Sequence, residues 1–327
     1  MKRVLITGGS GSWGTELTKQ LLERGAKKIV ILSRGELAQV VMRRKFNDPR
    51  VHFVIGDVRD YSAVDRLLAN HEVDYIFHMA ALKHVDVCEN HPQETIKTNI
   101  DGTTNIVNAA IKYKVKKVID VSTDKAVSPT NLYGYTKAVG EKLCIQANNF
   151  TKDTDFVCIR GGNVLGSNGS VVPLFIDQIN NSNEITVTVG TMTRFFLTLP
   201  EAIHLLFHAA ETSVGGETYV MNMPSFYINT LAEVLIKHYG DDFTTIKEIG
   251  IREGEKLDEL LVSEHEAPRT YVYNDDYYVI KPELNMDRDY SHLDNLNKAH
   301  FTKFASSDKP ETLNYLYDLL NKGGFLL

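Results

Sequence analysis

Cysteine is scarce in this chain: three among 327 residues, at positions 88, 144 and 158. So small, odd and scattered a set builds no disulfide framework and has no metal-ligand spacing, which points to a reducing compartment. Cys88 reads as a buried spectator rather than a nucleophile. Positive charge is not in excess either. Lys and Arg number 36 against 42 Asp and Glu, a net charge of −6, which argues against nucleic acid or an anionic membrane surface as a partner. No apolar run approaches the ~20 residues of a membrane span. Met1 leads at once into the strand-like Val4-Leu5-Ile6, so no leader peptide is expected. There is no internal repeat, low-complexity tract or long flexible linker. These absences lead to the expectation of a cytoplasmic protein without nucleic-acid, membrane or metal partners. What is present, 43% hydrophobic and 24% charged residues, is the composition of an ordinary soluble globule long enough for a large core.

In the first half, short apolar runs alternate with helical patterns. Strands are expected at 4–7, 29–32, 52–55, 75–79, 118–121 and 156–160, and helices at 14–24, 36–46, 62–70, 92–113 and 133–149. This alternation implies right-handed crossovers and an α/β fold, a doubly wound parallel sheet covered on both faces. Ligands then bind at the carboxyl ends of the strands. The rhythm breaks after residue 161. Residues 161–170 read as a loop rich in Gly, Asn and Ser, followed by a helix at 199–210, a strand at 218–222 and a helix at 230–238. The division expected is a dinucleotide-binding domain over 1–161 and a smaller substrate-binding part over 162–327, some segments of which return to the sheet. Residues 271–289, crowded with Tyr and Asp, read as a solvated edge.

The densest chemistry lies in Ser122-Thr123-Asp124-Lys125 and Tyr133-Gly134-Tyr135-Thr136-Lys137. The tetrad follows a buried-strand pattern. Tyr133 and Lys137 stand at i and i+4, on one helix face, so the ammonium lies beside the phenol. A free Tyr titrates near ~10, and a neighbouring cation favours phenolate, which would make Tyr133 a base. Tyr135 is off that face and reads as packing.

Thr7-Gly8-Gly9-Ser10-Gly11-Ser12-Trp13-Gly14 joins the first strand to the first helix. Gly8, Gly11 and Gly14 permit a tight turn and close backbone approach, and the helix N-terminus suits a pyrophosphate. This is the entry to a Rossmann-like domain. Where an NAD enzyme places an acid after the second strand, this chain has Ser33-Arg34, a hydroxyl and a guanidinium suited to a 2′-phosphate. Arg43 and Arg44 add positive charge. NADP is therefore favoured over NAD, although Glu36 lies close by. Asp57, ahead of Val58, suits either an adenine amine or a helix cap. Ala80 and Ala81 end the fourth strand and allow close approach to the cofactor, while Lys83 is either a substrate contact or a solvated lysine.

With these residues assembled, the chain resembles the extended short-chain dehydrogenase/reductases, and within them the UDP-N-acetylglucosamine 4,6-dehydratases of bacterial surface-sugar pathways. The resemblance rests on GDVRD at 56–60, AALKHV at 80–85, STDKA at 122–126, GNVLGSNGSVVP at 162–173, MTRFF at 192–196 and GEKL at 254–257, and weakens after about residue 265. It implies that Tyr133 takes the C4 hydroxyl proton while hydride passes from C4 to the nicotinamide. It implies further that C5 is deprotonated, water leaves C6, and the hydride returns to C6. Related hexose dehydratases use a Thr-Asp-Glu triplet for the elimination. The matching Thr123-Asp124-Lys125 implies that Thr123 holds the C4 oxygen, that Asp124 is held neutral to protonate the departing hydroxyl, and that Lys125 is the C5 base. A base needs a lowered pKa, from burial or from Lys137. On the substrate side the resemblance implies Asn163, Ser170 and Pro173 near the sugar diphosphate and uracil. It makes Arg194 and Arg252 diphosphate clamps and Glu255 a ribose acceptor.

The chain departs from many relatives in carrying Gly161 for a Tyr and Asn168 for an Arg, which leaves the C5 configuration of the product open. Relatives pair the helices at 92–113 and 133–149 across subunits, and here both carry apolar residues on more than one face, so a homo-oligomer is expected. Two other functions are open: a UDP-N-acetylhexosamine 4-epimerase, which needs Tyr133 and Lys137 but has no use for Asp124-Lys125, and a non-catalytic NADP-binding sensor, which needs none of them.

Overall fold

The apolar runs become strands because β-branched residues at successive positions are buried on both faces of one sheet. In the computed structural model, which describes every residue except Asn168, Asn285 and Leu327, these are β1 (Arg3–Thr7), β2 (Lys28–Ser33), β3 (Val51–Ile55), β4 (Tyr75–His78), β5 (Lys117–Thr123) and β6 (Asp155–Gly161). They form a parallel array in the order β6-β5-β4-β1-β2-β3. Chain order reverses between β1 and β4, and a ligand crevice opens beyond such a switch point.

Helices cover both faces. α1 (Ser12–Glu23), α2 (Glu36–Phe46), α3 (Tyr61–Asn70), α4 (Val85–Asn90), α5 (Pro92–Ile96), α6 (Gly102–Lys112) and α7 (Leu132–Ala147) belong to the first half. One core layer puts Leu17 and Leu21 of α1 against Val4, Ile6, Ile29 and Ile31. The opposite layer puts Val64, Leu67 and Leu68 of α3 and Ile106 and Ala110 of α6 against Leu5, Val30, Ile76 and Val118.

The later chain adds β7 (Asn163–Val164), α8 (Val171–Ser182), β8 (Glu184–Val187), β9 (Thr193–Leu197), α9 (Leu199–Thr212), β10 (Thr218–Met221), β11 (Ser225–Tyr227), α10 (Ile228–Tyr239), β12 (Thr245–Glu248), β13 (Leu260–Val262), β14 (Thr270–Val272), β15 (Tyr277–Ile280), α11 (Ser291–Asp294), β16 (Phe304–Ala305) and α12 (Leu313–Lys322). A third core forms among α8, α10 and α12, with Val172, Phe175, Leu231, Leu235 and Leu316. α9 instead joins the layer of α1, where Leu206 and Phe207 are buried.

Two expectations are corrected. The Tyr- and Asp-rich stretch is an edge of the sheet, but its strands are packed rather than solvated, and within 270–280 only the turn at 274–276 is exposed. β10 lies parallel to β6, and β15 and β14 follow antiparallel, completing a nine-stranded sheet. The tyrosines pack: Tyr277 stacks on His208 at 4.3 Å and Tyr278 meets Phe301 at 5.2 Å, while Val279 and Ile280 are buried. The helix expected at 92–113 is interrupted by a π-helical turn, Lys97–Asp101, between α5 and α6, and α4 precedes it. The π-turn swings Asn99 inward, where it is 1% exposed. Its side-chain oxygen accepts from the Leu82 N–H at 2.8 Å, and its amide donates to Leu82 O and Thr136 Oγ1, both at 3.0 Å. One irregularity thus ties the loop after β4 to α7.

Candidate active site

A cavity of about 690 Å3 opens over the carboxyl ends of β1, β2, β4, β5 and β6. At its floor, Thr7 Oγ1 bonds His78 Nδ1 at 2.7 Å and accepts from the Met79 and Ala80 N–H groups at 3.1 and 3.2 Å. Burial lowers the His78 pKa to about 4, so its ring is a neutral strut between Thr7 and Thr103 Oγ1 at 3.1 Å. Gly8 has φ +65°, and a Cβ there would come within 3.0 Å of the Ala80 backbone. At Gly11 a Cβ would meet, beyond its chain neighbours and among the described residues, only Gly8 O, at 3.4 Å. The absent side chain leaves room at the N-terminus of α1 for a pyrophosphate.

Gly8, Ser10, Gly11, Ser12, Trp13, Gly14, Ser33, Arg34, Asp57, Val58, Ala80, Ala81 and Tyr133 all line this cavity. Ser33 Oγ accepts from Ser10 Oγ and from Gln39 Nε2, each at 2.9 Å. Arg34 is half-exposed, 3.9 Å from Asp57. Burial pushes the Asp57 carboxyl up, but its hydrogen bonds with Arg59 and the charges of Arg59 and Arg34 hold it below its ordinary value. Arg43 sits over the Phe53 ring at 5.2 Å. The shape and donors suit a dinucleotide, and buried hydroxyls facing the cavity, Ser122 Oγ, Thr98 Oγ1 and Ser170 Oγ, take no protein partner.

At the other end, β5 delivers Thr123 into a 3₁₀ turn, Asp124–Ala126. Thr123 Oγ1 donates to Asp124 Oδ1 at 2.8 Å, and Lys125 Nζ donates to the same oxygen at 3.0 Å and to Asn163 Oδ1 at 3.4 Å. Asp124 is fully buried, and its Oδ2 has no hydrogen-bond partner among the described residues. The side chain of Asn131 caps α7 by accepting from the Gly134 N–H at 2.8 Å. Gly134 lies so close to the Lys125 carbonyl that only glycine fits, which sets Tyr133 beside the turn. Lys137 Nζ, one turn on, is bonded to Asp120 at 3.2 and 3.3 Å. Behind it, donor atoms of Asp120, Cys144 and Cys158 lie within 4.8 Å of one another, but the Lys137 ammonium already supplies the cation there.

Two electrostatic expectations are corrected. Burial raises the Tyr133 phenol, and Lys137, Lys125 and Thr123 only partly offset it. Burial works to lower Lys125, but the carboxylates Asp124 and Glu259 outweigh it and the net shift is upward, not downward. Lys137 shifts upward as well: burial opposes its charge, and Asp120 more than restores it.

Of the expected substrate contacts, Lys83, Asn163 and Ser170 line the cavity. Pro173 lies in the first turn of α8, outside the lining. Arg194 turns inward, 8% exposed, and donates to the carbonyls of Thr193, Leu257 and Lys256 at 2.7, 3.0 and 2.9 Å. Arg252 and Glu255 belong to a loop fastened at Gly254 O by Thr130 and Asn131 and are not in the lining. The indole of Trp13 stands 3.4 Å from where a Cβ of Gly161 would be, so it fills the space a side chain there would enter. Asn168 lies outside the described residues. Sequence reasoning missed Asn99, His78, Gln39 and Glu259. The π-turn and the long-range contacts that place them leave no local signature, although a polar residue within an apolar helix pattern marks Asn99.

Residues 4–282 match the family described as polysaccharide biosynthesis protein. A UDP-N-acetylglucosamine 4,6-dehydratase (inverting) of Campylobacter jejuni is 42% identical over 89% of this chain and 86% of its own. A UDP-glucose 4-epimerase of Rickettsia canadensis is also 42% identical, over 85% and 82%. Among solved structures, Pen from Bacillus thuringiensis superposes with a TM-score of 0.92 at 37% identity, covering 99% of this chain and 98% of its own. The dTDP-glucose 4,6-dehydratase of Streptomyces venezuelae, solved with NAD, does so with 0.71 at 25%, covering 78% and 86%.

Proposed function

The chain belongs to the polysaccharide biosynthesis protein family, and on that premise we propose that it is a UDP-N-acetylglucosamine 4,6-dehydratase. Its product is a UDP-4-keto-6-deoxy-N-acetylhexosamine. The observation that carries this reading is that Lys125 lines the same cavity as Tyr133 and is bonded at 3.0 Å to the fully buried Asp124 just behind it. Tyr133 and Lys137 are enough for oxidation at C4, which an epimerase also performs. An acid and a base beside them, which one proton shared by Asp124 and Lys125 can supply, are what elimination of water requires.

A nicotinamide dinucleotide held by the glycine turn, Ser33 and Arg34 would supply the hydride chemistry, an acceptor at C4 and a donor at C6. Tyr133 acts from its phenolate form, which burial disfavours and Lys137 and Lys125 stabilise, and becomes the phenol as it takes the C4 hydroxyl proton, with Thr123 holding the C4 oxygen. The new ketone acidifies the C5 proton. The resemblance implies an Asp124 that is neutral from the start; with burial outweighed by its carboxylate neighbours and Lys125 shifted upward, the shared proton instead starts on Lys125. Its transfer to Asp124 Oδ1, across one hydrogen bond, yields a neutral amine to deprotonate C5 and an acid to protonate the departing C6 hydroxyl. No water need enter for that exchange. Asn163 accepts from Lys125 at 3.4 Å and aims it, while Ser170 and Lys83 lie where they would meet the nucleotide sugar. Arg252 and Glu255 reach it only if their loop folds over the cavity.

Ser33 and Arg34 at the end of β2 support NADP as the form used, and Asp57, held by Arg59, supports an adenine contact. Val87, Ile96, Tyr135 and Val139 are exposed apolar residues on the packed helices α4, α5 and α7, which supports self-association through that face. Among the described residues no helix is long and apolar enough to cross a membrane, in keeping with a cytoplasmic site of action.

Incubation with UDP-N-acetylglucosamine in heavy water tests the reading. Loss of one water with deuterium at C5 is the expected result, and NMR of the product gives the C5 configuration. A product of unchanged mass identifies an epimerase. A Tyr133→Phe chain that still turns over nucleotide sugars at the full rate would sink the enzyme reading as argued here.

A further inference from the structure

One buried carboxylate beside the Asp124–Lys125 pair has no part in the steps above. Glu259 precedes β13 and is 3% exposed. Its backbone is pinned on both sides by Ser306: the Glu259 N–H donates to Ser306 Oγ and the Ser306 N–H to Glu259 O, each at 2.9 Å. Its Oε1 stands 3.8 Å from Lys125 Nζ and 4.0 Å from Arg194 Nε, its Oε2 3.7 Å from Lys256 Nζ, and Oε2 accepts no hydrogen bond. These distances are too long for hydrogen bonds but short enough for strong Coulomb attraction in a buried setting. The same molecule shows what a structural buried ion pair looks like: Arg160 meets Glu141 and Glu266 at 2.7 Å each, with every oxygen bonded. Glu259 is not built that way.

We propose that Glu259 is a positioning residue for the base: its carboxylate holds the Lys125 ammonium charged and aimed between Asp124 and Asn163, and so sets the pH at which that proton is lost. The charged and titratable groups facing Lys125 are Asp124 from its own turn, Glu259 from the strand lead-in, Arg194 from β9, Lys256 from the preceding loop and Tyr133 from α7. Asn163 of β7 faces it with a neutral amide. Arg194 and Lys256 draw part of the Glu259 charge to themselves, so its pull on Lys125 is moderated rather than complete. Burial, reinforced by Asp124, pushes the Glu259 carboxyl up against these cations, which leaves its charge responsive to Lys125.

The elimination needs one proton shared by Asp124 and Lys125. Glu259 strengthens the hold on it, so removing the Glu259 charge loosens that proton. NMR titration of the full chain labelled with ¹³C at lysine Cε, with Lys125 assigned from the signal lost in Lys125→Met, reads this without substrate. In Glu259→Gln the Lys125 midpoint should fall by about one pH unit or more, the order expected of a unit charge at this separation. Glu259→Asp, which keeps the charge but draws it back, should fall less and carries the test if the amide variant does not fold.

The kinetic arm rests on the dehydratase reading. In Glu259→Gln the alkaline limb of kcat for water loss should move down by the same amount, with KM unchanged. An unmoved Lys125 resonance in the variants overturns the proposal. A moved resonance in a chain that removes no water from UDP-N-acetylglucosamine upholds it and overturns the functional reading instead.

Discussion

Gly134→Ala is a small change that tests how tightly the active turn is seated on α7. An added Cβ would stand 3.0 Å from Pro129 Cβ and 3.1 Å from the Lys125 carbonyl carbon, with the Lys125 oxygen closer still. Carbon pairs settle at ~3.5–4.0 Å, so turn and helix must part by roughly 1 Å. Overpacking of this kind costs about 1–3 kcal/mol. Alanine returns ~1 kcal/mol in helix propensity, which leaves a net loss of about 0–2 kcal/mol by urea denaturation. Activity should suffer more. The atoms that must move are the backbone of Lys125 itself, and a displacement near 1 Å at a reacting group costs on the order of 10²-fold in rate. The assay is kcat for water release from UDP-N-acetylglucosamine at saturating cofactor, beside the denaturation curve. A variant that loses stability yet keeps wild-type kcat would refute the claim that this contact positions Lys125.

Arg34→Ala should weaken NADP binding by roughly 10–100-fold, the worth of one charge-assisted contact, and leave NAD nearly unchanged. Quenching of Trp13, the single tryptophan and part of the cavity wall, reads both affinities, and equal losses for the two cofactors would refute the 2′-phosphate role. Acid should unfold the chain partly through Glu266. Burial opposes its charge, but Arg160 and Ser263 lower its pKa to about 2. A depressed carboxyl contributes stability above its unfolded value near ~4.3 and loses it as pH falls toward 2, here about 3 kcal/mol. Glu266→Gln should be less stable at neutral pH and show a flatter decline between pH 5 and 2, measured by thermal melts across that range. Val139→Lys, on the exposed apolar face of α7, should shift light-scattering mass toward the monomer, and an unchanged mass would move the interface elsewhere.

Features set by neighbouring residues were readable along the chain. The glycine turn, the i, i+4 spacing of Tyr133 and Lys137, and the first six parallel strands follow from short-range sterics and periodicity, which need no partner. Many residues that line the cavity, among them Gly8, Ser33 and Ala80, were readable for the same reason, since they sit at or just beyond strand ends; Thr98, in the π-turn, was not. Asn99 was not, because a π-turn inside an apolar helical pattern leaves the pattern intact while rotating one side chain inward. Arg194 was misplaced because a guanidinium suits diphosphate oxygens and backbone carbonyls equally, and only packing decided which it met. The strands at 270–280 were missed because tyrosines clustered around Asn274-Asp275-Asp276 look solvated until His208, Phe301 and Phe304 arrive from distant segments.

The chain by itself therefore determined which groups are present and that they gather at one edge of a parallel sheet. Only the tertiary structure decided how strongly each holds its proton. Lys125 and Tyr133 carry no record in the local sequence of Glu259 or of their own burial, and charge and desolvation act through space rather than along the backbone. That is why Lys125 was legible as a candidate base and the direction of its shift was not.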